Sequence, residues 1–131
     1  MPTASDLLRA AREARKHAYA PYSNFPVGAA LLTASGDVVT GANVENASYP
    51  VGTCAERTAL FAAVAQGHRS FQAIAIAGTE GVTLNPCGAC RQALAEFGDG
   101  MRIIREGCDD ITLRELLPES FGPRDLARTD V

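Results

Sequence analysis

The order of apolar and polar positions divides the chain into short elements. Leu7, Ala11, Ala14 and Ala18 recur at helical spacing, so a first helix runs from a cap at Thr3 or Ser5 to about His17, and Pro21 ends it. Val27 to Thr33 is an apolar run that reads as a buried strand. Ala34-Ser35-Gly36-Asp37 supplies turn chemistry, and Val38 to Val44 returns as a second strand, which predicts an antiparallel hairpin. A helix is expected from about Cys54 to Gln66, stopped near Gly67. Phe71 to Ala77 is a strongly apolar third strand. After a loop over Gly78 to Asn85, Pro86 suits the first position of a helix reaching about Phe97. Met101 to Arg105 gives a fourth strand, and a weaker fifth falls around Asp110 and Ile111. Thr112-Leu113-Arg114-Glu115 has capping-box spacing for a short helix through Leu117, closed by Pro118. Strands alternating with helices after a hairpin predict an α/β fold, a mixed sheet of four to five strands flanked by helices. Ligands in such sheets collect where helices start at the carboxyl ends of strands.

Composition narrows the function more than the fold. At 131 residues one domain, 1–131, is expected, large enough to bury a core. Lys and Arg number 12 against 15 Asp and Glu, for a net charge of -3, and no basic block stands out. A sequence-independent grip on nucleic acid is therefore not expected. Arg9, Arg12, Arg15 and Lys16 read as the solvated face of the first helix. No apolar run approaches a membrane span and no signal-peptide core opens the chain, so the expected location is cytoplasmic, with no membrane partner. In a reducing compartment the four cysteines are metal ligands or free thiols before they are disulfides.

Two stretches concentrate the chemistry. Thr53-Cys54-Ala55-Glu56-Arg57 and Asn85-Pro86-Cys87-Gly88-Ala89-Cys90-Arg91 each put cysteine at a helix start. Cys87 and Cys90 alone could be a redox pair or metal ligands. With Cys54 at the other helix start they make three ligands, which suits an open catalytic zinc with a fourth position for water. Glu56 has two readings: partner of Thr53 in a capping box, or a proton-transfer group beside the metal. Arg57 lies three residues from Cys54 and can share its helix face. Three thiolates more than cancel the charge of a zinc dication, and Arg57 with two helix N-termini could offset that excess. Cys108 stands alone near a turn and reads as an unligated thiol. Asn43 and Glu45 alternate at a strand end, either as a polar strand end or as a grip for sugar hydroxyls.

These motifs together resemble the small cytidine deaminases. The resemblance rests on Tyr19 to Leu31, Asn43-Val44-Glu45-Asn46, Cys54 to Ala59, Pro86 to Gln92, Glu115 to Pro118 and Ser120-Phe121-Gly122, in the family's order and over nearly the whole chain. The Cys-x-Glu and Pro-Cys-x-x-Cys pair is the signature of zinc deaminases in general. The Asn43 to Asn46 stretch narrows it to nucleosides.

The resemblance implies a single catalytic domain of three-layer cytidine deaminase-like fold. The activity implied is hydrolytic deamination of cytidine and deoxycytidine to uridine and deoxyuridine with release of ammonia, a step of pyrimidine salvage. Cys54, Cys87 and Cys90 would hold one zinc per subunit, whose hydroxide attacks C4, while Glu56 shuttles protons. Asn43 and Glu45 would bind the ribose 3′-hydroxyl region, and Phe25 would pack against the base. The Ala55 N–H would bond the ring carbonyl, and the Asn85 carbonyl would meet the leaving amine. Arg57 would hydrogen-bond the thiolates. By the same resemblance the protein is a homotetramer in which Phe121 reaches a neighbouring subunit's pocket and Tyr49 lies at an interface.

The sequence departs from the family at Asn85, where Ser or Thr is usual, and in a shorter stretch from Met101 to Ile111. Among rivals, a deaminase of blasticidin-type antibiotics differs at the positions of Glu45 and Phe121. A polynucleotide-editing enzyme lacks a visible basic channel here, and a zinc or thiol-switch interaction module would need Cys108 as a ligand and could dispense with Glu56.

Overall fold

The computed structural model describes residues 1–127. The last four residues of the expected domain and tail lie outside the described residues.

Helix α1 spans Ala4–Arg15. Thr3 caps it: its side chain accepts the Asp6 N–H at 3.1 Å, and Asp6 returns the bond to the Thr3 N–H at 2.9 Å. The helix ends two residues before the expected His17. The Lys16, His17 and Ala18 amides turn to acceptors three residues back, the tighter winding of a helix end.

Strands β1 (Gly28–Thr33) and β2 (Val38–Ala42) form the expected antiparallel hairpin. Helix α2 (Ala55–Ala65), strand β3 (Phe71–Ala77), helix α3 (Gly88–Ala95) and strand β4 (Arg102–Arg105) follow. The fifth strand is present: β5 (Ile111–Thr112) leads into α4 (Leu113–Leu116), with the Thr112 and Glu115 capping box formed. A short 3-10 turn at Tyr49–Val51 and a helix α5 (Pro123–Leu126) were not expected from the pattern.

The sheet order is β2-β1-β3-β4-β5, antiparallel except where β3 runs parallel to β4. Every residue of β1 is buried because both faces of the sheet are covered. Ala30 and Leu32 face α1 with Leu7, Ala11, Ala73, Ala75 and Ile104. Ala29 and Leu31 face the opposite side with Ile74, Ile76, Ile103 and the α2 residues Ala55, Ala59, Leu60 and Ala63. Each fully buried Leu or Ile contributes about 1.5–3 kcal/mol from removal of apolar surface from water.

Two glycines set how closely the helices lie on the sheet. A Cβ on Gly28 would stand 2.0 Å from the Ala11 carbonyl oxygen of α1, and one on Gly41 would stand 2.4 Å from the Ala59 nitrogen of α2. The sheet offers bare backbone at both crossings, so α2 sits directly over β2. Its N-terminus comes out at the edge where β2, β3 and β4 end.

Two helix starts differ from the sequence reading. Thr53 does not cap α2; Cys54 does, and the Thr53 N–H donates to the Val44 carbonyl at 2.9 Å. Pro86 precedes the cap of α3 instead of opening the helix. Cys87 is the cap, in extended conformation, and its sulfur accepts the Cys90 N–H at 3.4 Å. Strand β2 also stops at Ala42, so Asn43 and Glu45 lie just past its end.

Candidate active site

Cys54 and Cys87 are the N-cap residues of α2 and α3, and Cys90 sits in the first turn of α3. The sulfurs of all three lie within 4.8 Å of one another. Those of Cys54 and Cys87 are 3.8 Å apart. Sulfurs each bonded to one tetrahedral zinc ion at its usual bond length lie about 3.8 Å apart, so the donor set fits that metal. Cys108 is exposed in the 106–110 turn, outside this group of three.

The electrostatics also suit a cation. Burial acts against the Cys87 thiolate, yet hydrogen bonds from the Cys90 N–H and the neighbouring thiols leave its pKa below the ordinary value. Burial, then the nearby negative groups Glu56 and Cys54, push the Cys90 thiol well up. A dication between the sulfurs would reverse that penalty. Arg57 donates from Nη2 to the Cys54 sulfur at 3.6 Å, and contacts with the Cys54 and Cys90 thiols raise its own pKa. Its guanidinium therefore lies against the thiols whose charge it is expected to offset.

Glu56 is the one buried acidic side chain among the described residues, 5 % exposed. Burial pushes its carboxyl up, against the pull of its own N–H and of Arg57. The capping alternative is removed, because the Thr53 N–H is already bonded to Val44. The Ala55 N–H, next to it at the start of α2, meets no acceptor among the described residues.

A cleft of about 490 Å³ opens over Cys54 and Arg57 and is lined also by Asn43, Glu45, Tyr22 and Tyr49. It brings the sugar-grip candidates to Cys54; Cys87, Cys90, Glu56 and Phe25 are not among its lining residues. Asn43 and Glu45 both already have partners. Asn43 accepts the Val27 N–H at 2.8 Å and donates to the Phe25 carbonyl at 2.9 Å. Glu45 accepts the Tyr22 N–H at 2.9 Å, the Ser23 N–H at 3.1 Å and the Ser23 hydroxyl. Together they hold the 22–27 loop that carries Phe25, itself 41 % exposed.

Tyr49 lies in the 3-10 turn, 75 % exposed, with its ring centroid 5.9 Å from that of Tyr22. Phe121 is 59 % exposed and is attached to α3 through the Gln92 amide, which donates to its carbonyl at 2.9 Å. Tyr49 lines the cleft, whereas Phe121 is not among its lining residues. Asn85 is exposed, next to buried Pro86, at the end of the loop before Cys87.

Sequence reasoning missed the arginine that braces this loop. Arg91 donates to the Pro86 carbonyl and the Leu116 carbonyl, each at 2.8 Å. Its place directly after Cys90 was the available signal. The partners of Asn43 and Glu45 were also missed, since they lie 16 to 23 residues away in sequence.

Residues 1–105 match the family model for the cytidine and deoxycytidylate deaminase zinc-binding region. The chain is 46 % identical over 127 residues to a cytidine deaminase of Sporosarcina psychrophila, covering 92 % of this chain and 93 % of that one. It is 46 % identical over 125 residues to one from Halalkalibacterium halodurans, at 92 % and 95 % coverage. Among crystal structures, the cytidine deaminase of Burkholderia pseudomallei superposes with a TM-score of 0.86 at 48 % identity, over 91 % of this chain and 99 % of that one. That of Mycobacterium tuberculosis gives 0.83 at 43 % identity, over 88 % and 94 %. A mixed five-stranded sheet of this order, flanked by helices, is thus an architecture with known relatives. The chain belongs to the cytidine and deoxycytidylate deaminase zinc-binding family.

Proposed function

We propose that the chain is a zinc-dependent cytidine deaminase, converting cytidine and deoxycytidine to uridine and deoxyuridine with release of ammonia. The observation that carries this reading is the pairing of three clustered sulfurs with a buried carboxylate, Glu56, that has no capping duty.

Cys54, Cys87 and Cys90 are the zinc ligands, one ion per chain. Zinc held there supplies a Lewis acid that makes water a nucleophile near neutral pH. Glu56 takes one proton from the attacking water and delivers it to the ring N3; as the C4–N bond breaks it relays the second, from the new C4 hydroxyl, to the departing amine, so that water's two protons end on N3 and in ammonia. The unpartnered Ala55 N–H donates to the ring carbonyl, and the Asn85 carbonyl accepts from the amine. Phe25 packs on the base. Glu45 and Asn43 bind the 3′-hydroxyl region while keeping the 22–27 loop in place. Arg57 offsets the charge of the thiolates.

The substrate is a free nucleoside. The domain acts as one catalytic unit in the cytoplasm, in pyrimidine salvage, as a homotetramer. Exposed Phe121 and Tyr49 are the residues a neighbouring subunit would cover, Phe121 closing that subunit's cleft. No helix among the described residues is long and apolar enough to cross a membrane.

The test follows the fall in absorbance as cytidine becomes uridine, for wild type and Glu56→Gln, with zinc content measured in both. Full zinc with turnover reduced by roughly a hundred- to ten-thousand-fold is expected for the variant. An active Glu56→Gln protein, or a zinc-loaded wild type that turns over no cytosine nucleoside, would overturn the reading. A monomer with full activity would remove Phe121 from the site.

A further inference from the structure

Arg105, the last residue of β4, reaches the segment that leads into Cys87. It donates from Nη1 to Asn85 Oδ1 at 2.9 Å and from Nη2 to the Asp109 carbonyl at 2.9 Å. Its Nε is buried with no partner among the described residues. One guanidinium therefore ties the 106–110 turn to the last residue of the 78–85 loop. That loop is braced again by the Thr83 hydroxyl, which donates to the Glu106 carbonyl at 2.6 Å. Leu84 also packs so closely on Gly78 that a Cβ there would stand 2.3 Å from its Cδ1. On the other side Arg91 holds the Pro86 carbonyl.

The stretch between Asn85 and Pro86 is thus gripped before and after, yet no donor among the described residues reaches the Asn85 carbonyl itself. A backbone acceptor held this firmly and left unpaired suits a donor that arrives from outside the chain. Cytidine carries such a donor at C4, whereas uridine carries an acceptor there.

We propose that Arg105 is a positioning residue for deamination: through the Asn85 side chain it aims the free Asn85 carbonyl at the amine of the substrate. This rests on the deaminase reading above and adds a residue to it. Arg105 touches no reacting atom in this role. Its planar fork is what lets one side chain serve Asn85 and Asp109 at once, a span a lysine ammonium does not reproduce.

The test uses the zinc-loaded full chain as wild type, Arg105→Met, Asn85→Ala and the double variant. Two ligands are compared: cytidine, and a pyrimidin-2-one nucleoside with hydrogen in place of the amine. Arg105→Met is expected to lower kcat/KM for cytidine about tenfold. Binding of the amine-free nucleoside changes less than about twofold and zinc content is unchanged, because only the contact to the amine is lost. Asn85→Ala shows the same selectivity, and adding Arg105→Met to it costs nothing further.

Equal losses for both ligands, additive losses in the double variant, or an unchanged kcat/KM in Arg105→Met would each overturn this role. If Arg105→Met does not fold, Asn85→Ala carries the same contrast between ligands. Failure of the deaminase reading would appear in the wild type, as no turnover of cytidine. Failure of the Arg105 role would appear only in the variants.

Discussion

The backbone of Thr53 pairs with that of Val44 in both directions, N–H to carbonyl, at 2.9 and 3.0 Å. This isolated antiparallel bridge joins the segment carrying Asn43 and Glu45 to the segment that opens α2. It also occupies the donor that a Thr53–Glu56 capping box would need. The same pair of bonds therefore links the proposed sugar grip to the proposed proton shuttle and keeps the shuttle free.

Glu45 should matter for binding more than for metal. Its carboxylate accepts from the Tyr22 and Ser23 backbone as well as the Ser23 hydroxyl, so Glu45→Ala releases the 22–27 loop and removes the hydroxyl contact together. We expect KM for cytidine to rise about ten- to a hundredfold with zinc content unchanged. Steady-state kinetics with metal analysis checks this.

The same carboxyl predicts a pH dependence. Hydrogen bonds from the Ser23 hydroxyl foremost, then from the Ser23 and Tyr22 N–H groups, hold it below the usual Glu range. Its contribution to stability is therefore present above the unfolded pKa, about 4.3, and is lost as pH falls through the lower folded value. Urea unfolding of wild type and Glu45→Gln should differ at pH 7 and converge as the pH falls below about 4.

Arg57 supports the thiols from outside the ligand set. Arg57→Ala should weaken zinc affinity or turnover by about ten- to a hundredfold, a typical cost of losing a partner of a metal ligand. Competition with a chelator measures the first and the cytidine assay the second. Cys54→Ser or Cys90→Ser should lose most of the bound zinc outright.

Gly41 carries a packing prediction with a functional consequence. An alanine there would press on the Ala59 nitrogen, the Thr58 hydroxyl and the Ala55 carbonyl, the last at 2.8 Å. All three are backbone or side-chain atoms in the first half of α2. A loss of about 1–3 kcal/mol is expected in urea unfolding. Turnover should fall further than stability alone explains, because the displaced segment carries Glu56.

What the sequence disclosed follows from range. Helix α1, the hairpin and β3 were legible because their signals are local: apolar residues at helical spacing after a cap at Thr3 or Ser5, the Ser35-Gly36 turn, an unbroken apolar run. The three zinc-ligand candidates were legible because their spacing is itself chemical. The cap of α2 was misjudged for the opposite reason. Thr53-x-x-Glu56 has the right local spacing, but a partner nine residues earlier, Val44, takes the amide first. Pro86 was misplaced by two positions because Cys87 can cap with its sulfur, which propensity for Pro at a helix start does not register. The partners of Asn43, Glu45 and Arg105 depend on loops brought together only by the sheet. The helix over residues 123–126 rests on the Asp125 carboxylate accepting the Gly122 N–H, a short signal in a polar tail.

Cys54 and Cys87 are 33 residues apart in sequence and belong to different helices, with all of β3 between them. An ion bound to both is a cross-link between the two halves of the chain. Loading therefore closes a loop that includes the central strand, and the ion acts as a removable staple on the domain as a whole. Stripping zinc should lower the melting temperature of the entire sheet and not merely silence one site.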